Sequence, residues 1–300
     1  MKENSGYIQA VLAAVEQYGF TNVTPNVLSD EGNLIVHLSP HPVVARVAIA
    51  RSEADAVKAC HIMKRELQVA MHLHTEGVPV LLPAELTDTV PLQAKGTWMT
   101  LWEYVPRTAL QPLSPEEAYV MVHKLSTAMQ SLPIALSPLS VWERVSESAE
   151  ALRKQSDPRI HNLLKLFQSV DEEMRTGTRI LLPCHGDAHA RNLLASPRGP
   201  LWMDFEDVSL MPAYWDKASY VTNLALMSRF HEPTFRYMLQ QAIEADQLDD
   251  FKFAVTARVL MSTLGNLDYA LKGMGDLPFA TRQLELAADF IRELTYIHHL

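Results

Sequence analysis

Side chains able to move a proton or hold a metal crowd into CHGDAHARNLLASPRGPLWMDFED, residues 184–207. His185, Asp187, His189 and Asn192 stand at its start, and Asp204, Glu206 and Asp207 at its end. Between them, NLLAS and PLWMDF are short apolar runs around Pro197-Arg198-Gly199, a turn signal. The pattern reads as a hairpin symmetric about Arg198, which sets Asn192 opposite Asp204. Facing residues of an antiparallel pair lie ~4.5–5.5 Å apart, so two oxygen ligands there can share one ion. An Asn and an Asp supply the hard oxygen donors that Mg²⁺ prefers. Asp187 falls on the loop entering the hairpin, five residues before Asn192. His185-x-Asp187-x-His189 offers a competing chemistry, a ligand set for a hydrolytic metal. Such sites need further His or carboxylate ligands at matching spacing, and this reading leaves the Asn192/Asp204 hairpin unexplained.

The elements that must position these groups fall into two parts. An opening helix with Ile8, Val11, Leu12 and Val15 on one face stops at Gly19. TPNVLSD, NLIVHLS and VVARVAI then read as strands joined by SDEGN and by Ser39-Pro40-His41-Pro42. A long helix runs from an N-cap at Ser52 to Glu76, before Gly77 and Pro79. Residues 97–105, TWMTLWEYV, alternate as a strand that Pro106 ends. Beyond it the periodicity is helical, with a capping box at Ser114-Pro115-Glu116-Glu117. Short strands interrupt at 179–206, and helices fill the rest. The expected division is therefore 1–105, β-rich with one long helix, and 106–300, mostly helical. His298-His299 at the end has no partner cluster and reads as a frayed terminus.

Composition narrows the function classes. The chain has 300 residues, 48% hydrophobic and 20% charged, which excludes a disordered chain. No apolar run approaches the ~20 residues of a membrane helix, and the first residues do not form a secretory signal. Cys60 and Cys184 match neither a disulfide framework nor a zinc pattern, and a reducing cytoplasm is the expected location. With 26 Lys+Arg against 35 Asp+Glu the net charge is −9. No basic cluster exists to neutralise phosphates along a groove, which argues against a nucleic-acid partner.

His185-Gly186-Asp187, then Asn192, then Asp204-Phe205-Glu206, resembles the catalytic core of the protein-kinase-like superfamily. Within it the chain is most similar to the aminoglycoside phosphotransferase and choline kinase-like family, whose members carry His-Gly-Asp in this loop. The resemblance implies an α+β, two-lobed kinase-like fold, with residues 1–105 a nucleotide-binding lobe and 106–300 a catalytic and acceptor-binding lobe. It implies a small-molecule kinase moving the γ-phosphoryl group of ATP or GTP to a hydroxyl. Asp187 is then the base, with Mg²⁺ on Asn192 and Asp204. Trp215-Asp216 also fits the family, where this Asp anchors the catalytic loop, and His185 shapes that loop. His189 is either an acceptor contact or a solvated loop residue. Glu206 either orders metal-bound water or is an ordinary hydrogen-bonded carboxylate.

The resemblance also demands a phosphate-binding cation on the third strand, paired with a helix carboxylate. Arg46 and Glu66 answer it, and independent physics agrees. Glu66 has Ile62, Met63, Val69 and Ala70 as helix neighbours, and a carboxylate in an apolar stripe needs a partner or must neutralise. Arg46, centred in an apolar strand, has the complementary need. The family's usual lysine is replaced here by Arg46, which fits phosphate bidentately. The loop over the phosphates holds a single glycine, Gly32. By position, the carbonyl of Glu103 and the N–H of Val105 match the hinge that binds a purine edge. A catalytically silent nucleotide-binding regulator of the same fold is the main alternative, and a metal-dependent hydrolase the lesser one. The acceptor, whether aminoglycoside, choline, sugar or amino-acid-like alcohol, is not legible in the sequence, nor is the oligomeric state.

Overall fold

The computed structural model describes residues 5–30, 32–86, 90–109, 111–177 and 179–297. His298-His299 and Glu31 of the Gly32 loop lie outside them. In chain order the elements are α1 (Ser5–Glu16), β1 (Thr24–Ser29), β2 (Asn33–Ser39), β3 (Val43–Ala48), α2 (Glu53–Thr75), β4 (Leu92–Ala94) and β5 (Thr97–Glu103). Then come α3 (Pro115–Met129), α4 (Ser140–Leu152), α5 (Pro158–Arg175), β6 (Leu181–Cys184), β7 (Leu193–Ser196), β8 (Gly199–Trp202) and β9 (Ser209–Pro212). Four helices follow: α6 (Trp215–Ser228), α7 (Pro233–Glu244), α8 (Leu248–Leu271) and α9 (Leu277–Thr295). Among the described residues, no helix is long and apolar enough to cross a membrane. Contacts divide the chain into two units, Met1–Gln111 with Arg191–Glu206, and Pro112–Ala190 with Asp207–Leu300.

The first unit is an antiparallel sheet of order β1-β2-β3-β5-β4. Two-residue alternation aims Leu34, Val36 and Leu38 of β2, with Val43, Ala45 and Val47 of β3, at a core shared with Val11 and Val15 of α1. The same alternation puts Arg46 on the opposite face. There α2 delivers Glu66 from the row that buries Met63, Leu67, Val69 and Ala70. The helix starts where expected, with the Ser52 side chain accepting from the Asp55 amide. The β7–β8 hairpin, distant in sequence, is stitched into this unit by backbone. Trp202 N donates to Pro79 O at 2.9 Å, and Leu81 N donates to Trp202 O at 2.9 Å.

In the second unit α8 is the central helix. Phe251, Val255, Leu260, Leu264 and Leu267 among its residues are buried, so it is apolar nearly all round and packs against α4, α6 and α9. Ser114 and Glu117 form both bonds of the capping box that opens α3. β6 and β9 pair antiparallel from Leu181↔Pro212 to Cys184↔Ser209. This short ribbon launches the loop at 185–190.

Candidate active site

In the first unit Arg46 bridges two carboxylates. Its Nη1 donates to Glu66 Oε2, and its Nη2 donates to Glu206 Oε2 at 2.7 Å. Asp204 Oδ1 stands 3.7 Å from the same Nη2. The Glu66 side chain is 2% exposed, and burial pushes its carboxyl up to about 7. Arg46 opposes that rise, while Asp204 and Glu206 add to it. For Arg46 burial disfavours the charge, but the three carboxylates outweigh burial and raise its pKa. The main chain of Glu206 is also fixed, its carbonyl accepting from Arg65 Nη2 at 2.6 Å.

The hairpin forms, with a register one residue away from the expected one. Leu193 pairs with Trp202 and Ser196 with Gly199, around a two-residue turn, Pro197-Arg198. Ser196 is the reason for the tighter closure. Its hydroxyl accepts from Arg198 N at 3.0 Å and donates to Gly199 O at 2.6 Å, while Gly199 takes φ +95°. Asn192 therefore stands opposite Met203, whose N–H donates to Asn192 O at 3.1 Å, and does not face Asp204 across the ladder. Past Trp202 the ladder ends, and Asp204 adopts φ +68°, a left-handed conformation that Asp tolerates better than most residues. Asn192 is buried, and the Asp204 side chain is about 42% exposed.

In the second unit the 185–190 loop is built around Asp216, the second residue of α6. Asp216 Oδ2 accepts from His185 N at 3.0 Å, and Oδ1 accepts from Gly186 N at 3.1 Å. Burial pushes this carboxyl up despite the two amides. Trp215 Nε1 donates to Gly186 O at 2.8 Å. Gly186 is obligatory: at φ +89°, a Cβ would stand 2.2 Å from Asp207 O. His185 is fully buried, and its Nδ1 accepts from Asp187 N at 3.3 Å. Asp187 itself is held from two sides. Oδ1 accepts from Arg258 Nη2 at 2.9 Å, and Oδ2 lies 3.2 Å from His189 Nε2. Burial alone would raise the Asp187 carboxyl, but His189 and Arg258 overcome it and hold the group well below the usual carboxylate range. Sequence reasoning missed Arg258. It lies in an apolar helix with no motif around it, and a lone arginine there was the one available signal.

The remaining expected residues are placed as follows. Gly32 takes φ +78° with open space around it. Glu103 ends β5, its carboxylate accepting from Leu82 N at 3.2 Å and from Arg198 Nη2 at 2.6 Å. The strand expected to reach residue 105 stops there because Tyr104 N turns to Pro42 O at 2.8 Å. The Val105 amide donates to no backbone carbonyl among the described residues. Cys184 is buried, donates to Ser209 O at 3.4 Å, and has its thiol pKa pushed up by burial.

Chemically, the first unit offers one guanidinium among three carboxylates, with Asn192 and Asp204 at the two ends of one hairpin. This donor set is all oxygen. Among the described residues, no group of three or more His, Cys, Asp or Glu is placed to hold a metal by itself. Two oxygen donors suit Mg²⁺, which keeps several waters and takes substrate phosphates to complete its shell. They suit a closed, imidazole-rich metal site poorly. The second unit offers one ionised, oriented carboxylate.

Solved structures share this architecture. Amicoumacin kinase hAmiN, in complex with AMP-PNP, Ca²⁺ and Ami, superposes with a TM-score of 0.69 at 14% identity, over 98% of this chain and 94% of that one. Aminoglycoside 2'-phosphotransferase-IIIa, as its GDP complex, gives 0.63 at 14%, over 96% and 99%. Choline kinase LicA from Streptococcus pneumoniae gives 0.63 at 15%, over 94% and 98%. No curated protein sequence matches the chain. The fold is thus the α+β fold of the protein-kinase-like phosphotransferases. Residues 26–253, more than half the chain, match the sequence pattern of the phosphotransferase enzyme family, and the chain belongs to that family.

Proposed function

We propose that the protein is a small-molecule kinase, transferring the γ-phosphoryl group of ATP or GTP to a hydroxyl of a small acceptor. The observation that carries this reading is the buried Arg46–Glu66 pair beside Asp204. A guanidinium clamped at one edge by a helix carboxylate is held ready to take phosphate at the other. In this reading the first unit binds the nucleotide. Arg46 grips the α/β-phosphates, whose oxygens compete with Glu206 for Nη2. The Gly32 loop lies over the phosphates, and the Glu103 carbonyl and Val105 N–H read the purine edge. Asn192 and Asp204 hold Mg²⁺, which when bound neutralises charge on the phosphates. The second unit supplies the base. Asp187 orients the acceptor hydroxyl and takes its proton as the new bond forms. Asp216 and His185 keep the loop in shape. His189, against Asp187 Oδ2, is in this reading an acceptor contact, and Glu206 is an accessory carboxylate. The acceptor is a hydroxylated small molecule, and a cytoplasmic enzyme is the natural setting.

Thermal unfolding tests the nucleotide half of this reading. Millimolar ATP or GTP should raise the Tm of the wild type only with Mg²⁺, since ligand bound to the folded state alone stabilises it by mass action. Asp204→Ala should lose that Mg²⁺-dependent rise while keeping its Tm without nucleotide. If neither nucleotide stabilises the wild type, the reading fails. A silent regulator would show the stabilisation but no turnover dependent on Asp187.

A further inference from the structure

We propose that Arg258 is a positioning residue, holding Asp187 ionised and in one orientation throughout turnover. The inference rests on Asp187 being the base of the proposed reaction. Arg258 projects from the middle of α8, its side chain 5% exposed, beside the buried Ala254, Val255, Ala257, Val259 and Leu260. A buried arginine must be compensated, and its partners lie on the 185–190 loop. Nη2 donates to Asp187 Oδ1 at 2.9 Å, and Nη1 approaches Gly186 O at 3.4 Å. The guanidinium also lies 5.5 Å from the centre of the Trp215 ring, and that indole donates to the same Gly186 carbonyl. One side chain thus grips both the carboxylate and the backbone next to it.

Charged and titratable groups face Asp187 from two elements among the described residues. Arg258 comes from α8 and His189 from its own loop, each in contact with the carboxylate. His185 meets its amide, and Asp216 is spent on the amides of 185 and 186. Asp207, after the loop, is paired with Arg144 of α4. Arg258 thus sets a permanent positive charge directly against the carboxylate. Without it, burial is opposed by one fewer positive partner and moves the carboxyl up towards its neutral form.

Hydrolysis of Mg-ATP or Mg-GTP reports on this without an identified acceptor. The water oxygen bonds the γ-phosphorus, the bond to the β,γ-bridging oxygen breaks, Asp187 takes the proton, and the nucleoside diphosphate leaves. Arg258→Met should lower kcat on the order of a hundredfold, at the low end of what a positioned base contributes. Its KM for nucleotide should stay near that of the wild type, and the acidic limb of its kcat–pH profile should move up by about one pH unit or more. Arg258→Lys should return the limb to its wild-type place while recovering kcat in part, because a point charge replaces a fork. Adding Asp187→Asn to Arg258→Met should recover lost thermal stability, since it removes the half-buried carboxylate that has lost its arginine. That double-variant cycle needs no turnover. An unmoved acidic limb in Arg258→Met, with hydrolysis still dependent on Asp187, overturns the role of Arg258, as does a cycle with no recovery. Hydrolysis unchanged in Asp187→Ala instead removes the reading of Asp187 as base.

Discussion

One guanidinium at Arg46 faces Glu66, Glu206 and Asp204, and the excess negative charge has a consequence for stability. The Glu66 carboxyl is pushed from an ordinary value of 4.5 to about 7 by burial, with its carboxylate neighbours adding to the rise. Between those values the folded protein holds a proton that the unfolded chain has released. The stability this contributes is complete below about 4.5 and is lost as pH rises through about 7. Unfolding in urea from pH 4.5 to 8 should show that loss in the wild type, and Glu66→Gln should flatten it. A wild type that gains stability across this range through Glu66 would contradict the assignment. The pair itself was legible in the sequence because a lone charge in an apolar stripe has few solutions. Arg258 poses the same problem to its helix, but its partner lies 71 positions away with no periodic signal linking the two.

At the scale of elements, periodicity and capping chemistry identified β1, β2, β3 and β5 but not the three-residue β4, together with α2 and the capped start of α3, since each depends on neighbours within a few residues. The hairpin at 193–202 was visible for the same reason, but its register was not. Register is set by turn length, and that length turned on the hydroxyl of Ser196 bonding across Pro197-Arg198, a contact that alternation does not encode. The 185–190 loop shows a stricter constraint. Gly186 combines φ +89° with a carbonyl 2.2 Å from where a Cβ would be. Gly186→Ala should therefore destabilise the protein by about 3 kcal/mol. A thermal or urea unfolding experiment giving less than about 1 kcal/mol would mean that the loop relaxes freely.

Across the whole molecule, the acidic balance of −9 is consistent with the proposal that phosphate is met at one buried arginine, Arg46. The connectivity was the least legible feature. The expected division near Pro106 is contiguous, whereas Arg191–Glu206 belongs by its contacts with Met1–Gln111. The bonds of Trp202 to Pro79 and Leu81, of Thr108 N to Ala195 O at 3.3 Å, and of Arg198 to Glu103 all span the gap. A fragment ending at residue 111 should consequently lack a cooperative unfolding transition by circular dichroism. A sharp transition matching one phase of the full chain would show that the sheet is self-sufficient.

The stitched hairpin also sets a clock for biosynthesis. Once residue 111 has been made, the ribosome must add 80 more before Arg191 exists, a wait of roughly 4–16 s at ordinary elongation rates. Throughout that interval Pro79 O and Leu81 N have no Trp202 to bond, and Arg46 has Glu66 but not Glu206. The nascent sheet therefore leaves the exit tunnel without these partners, until the later segment arrives to complete it.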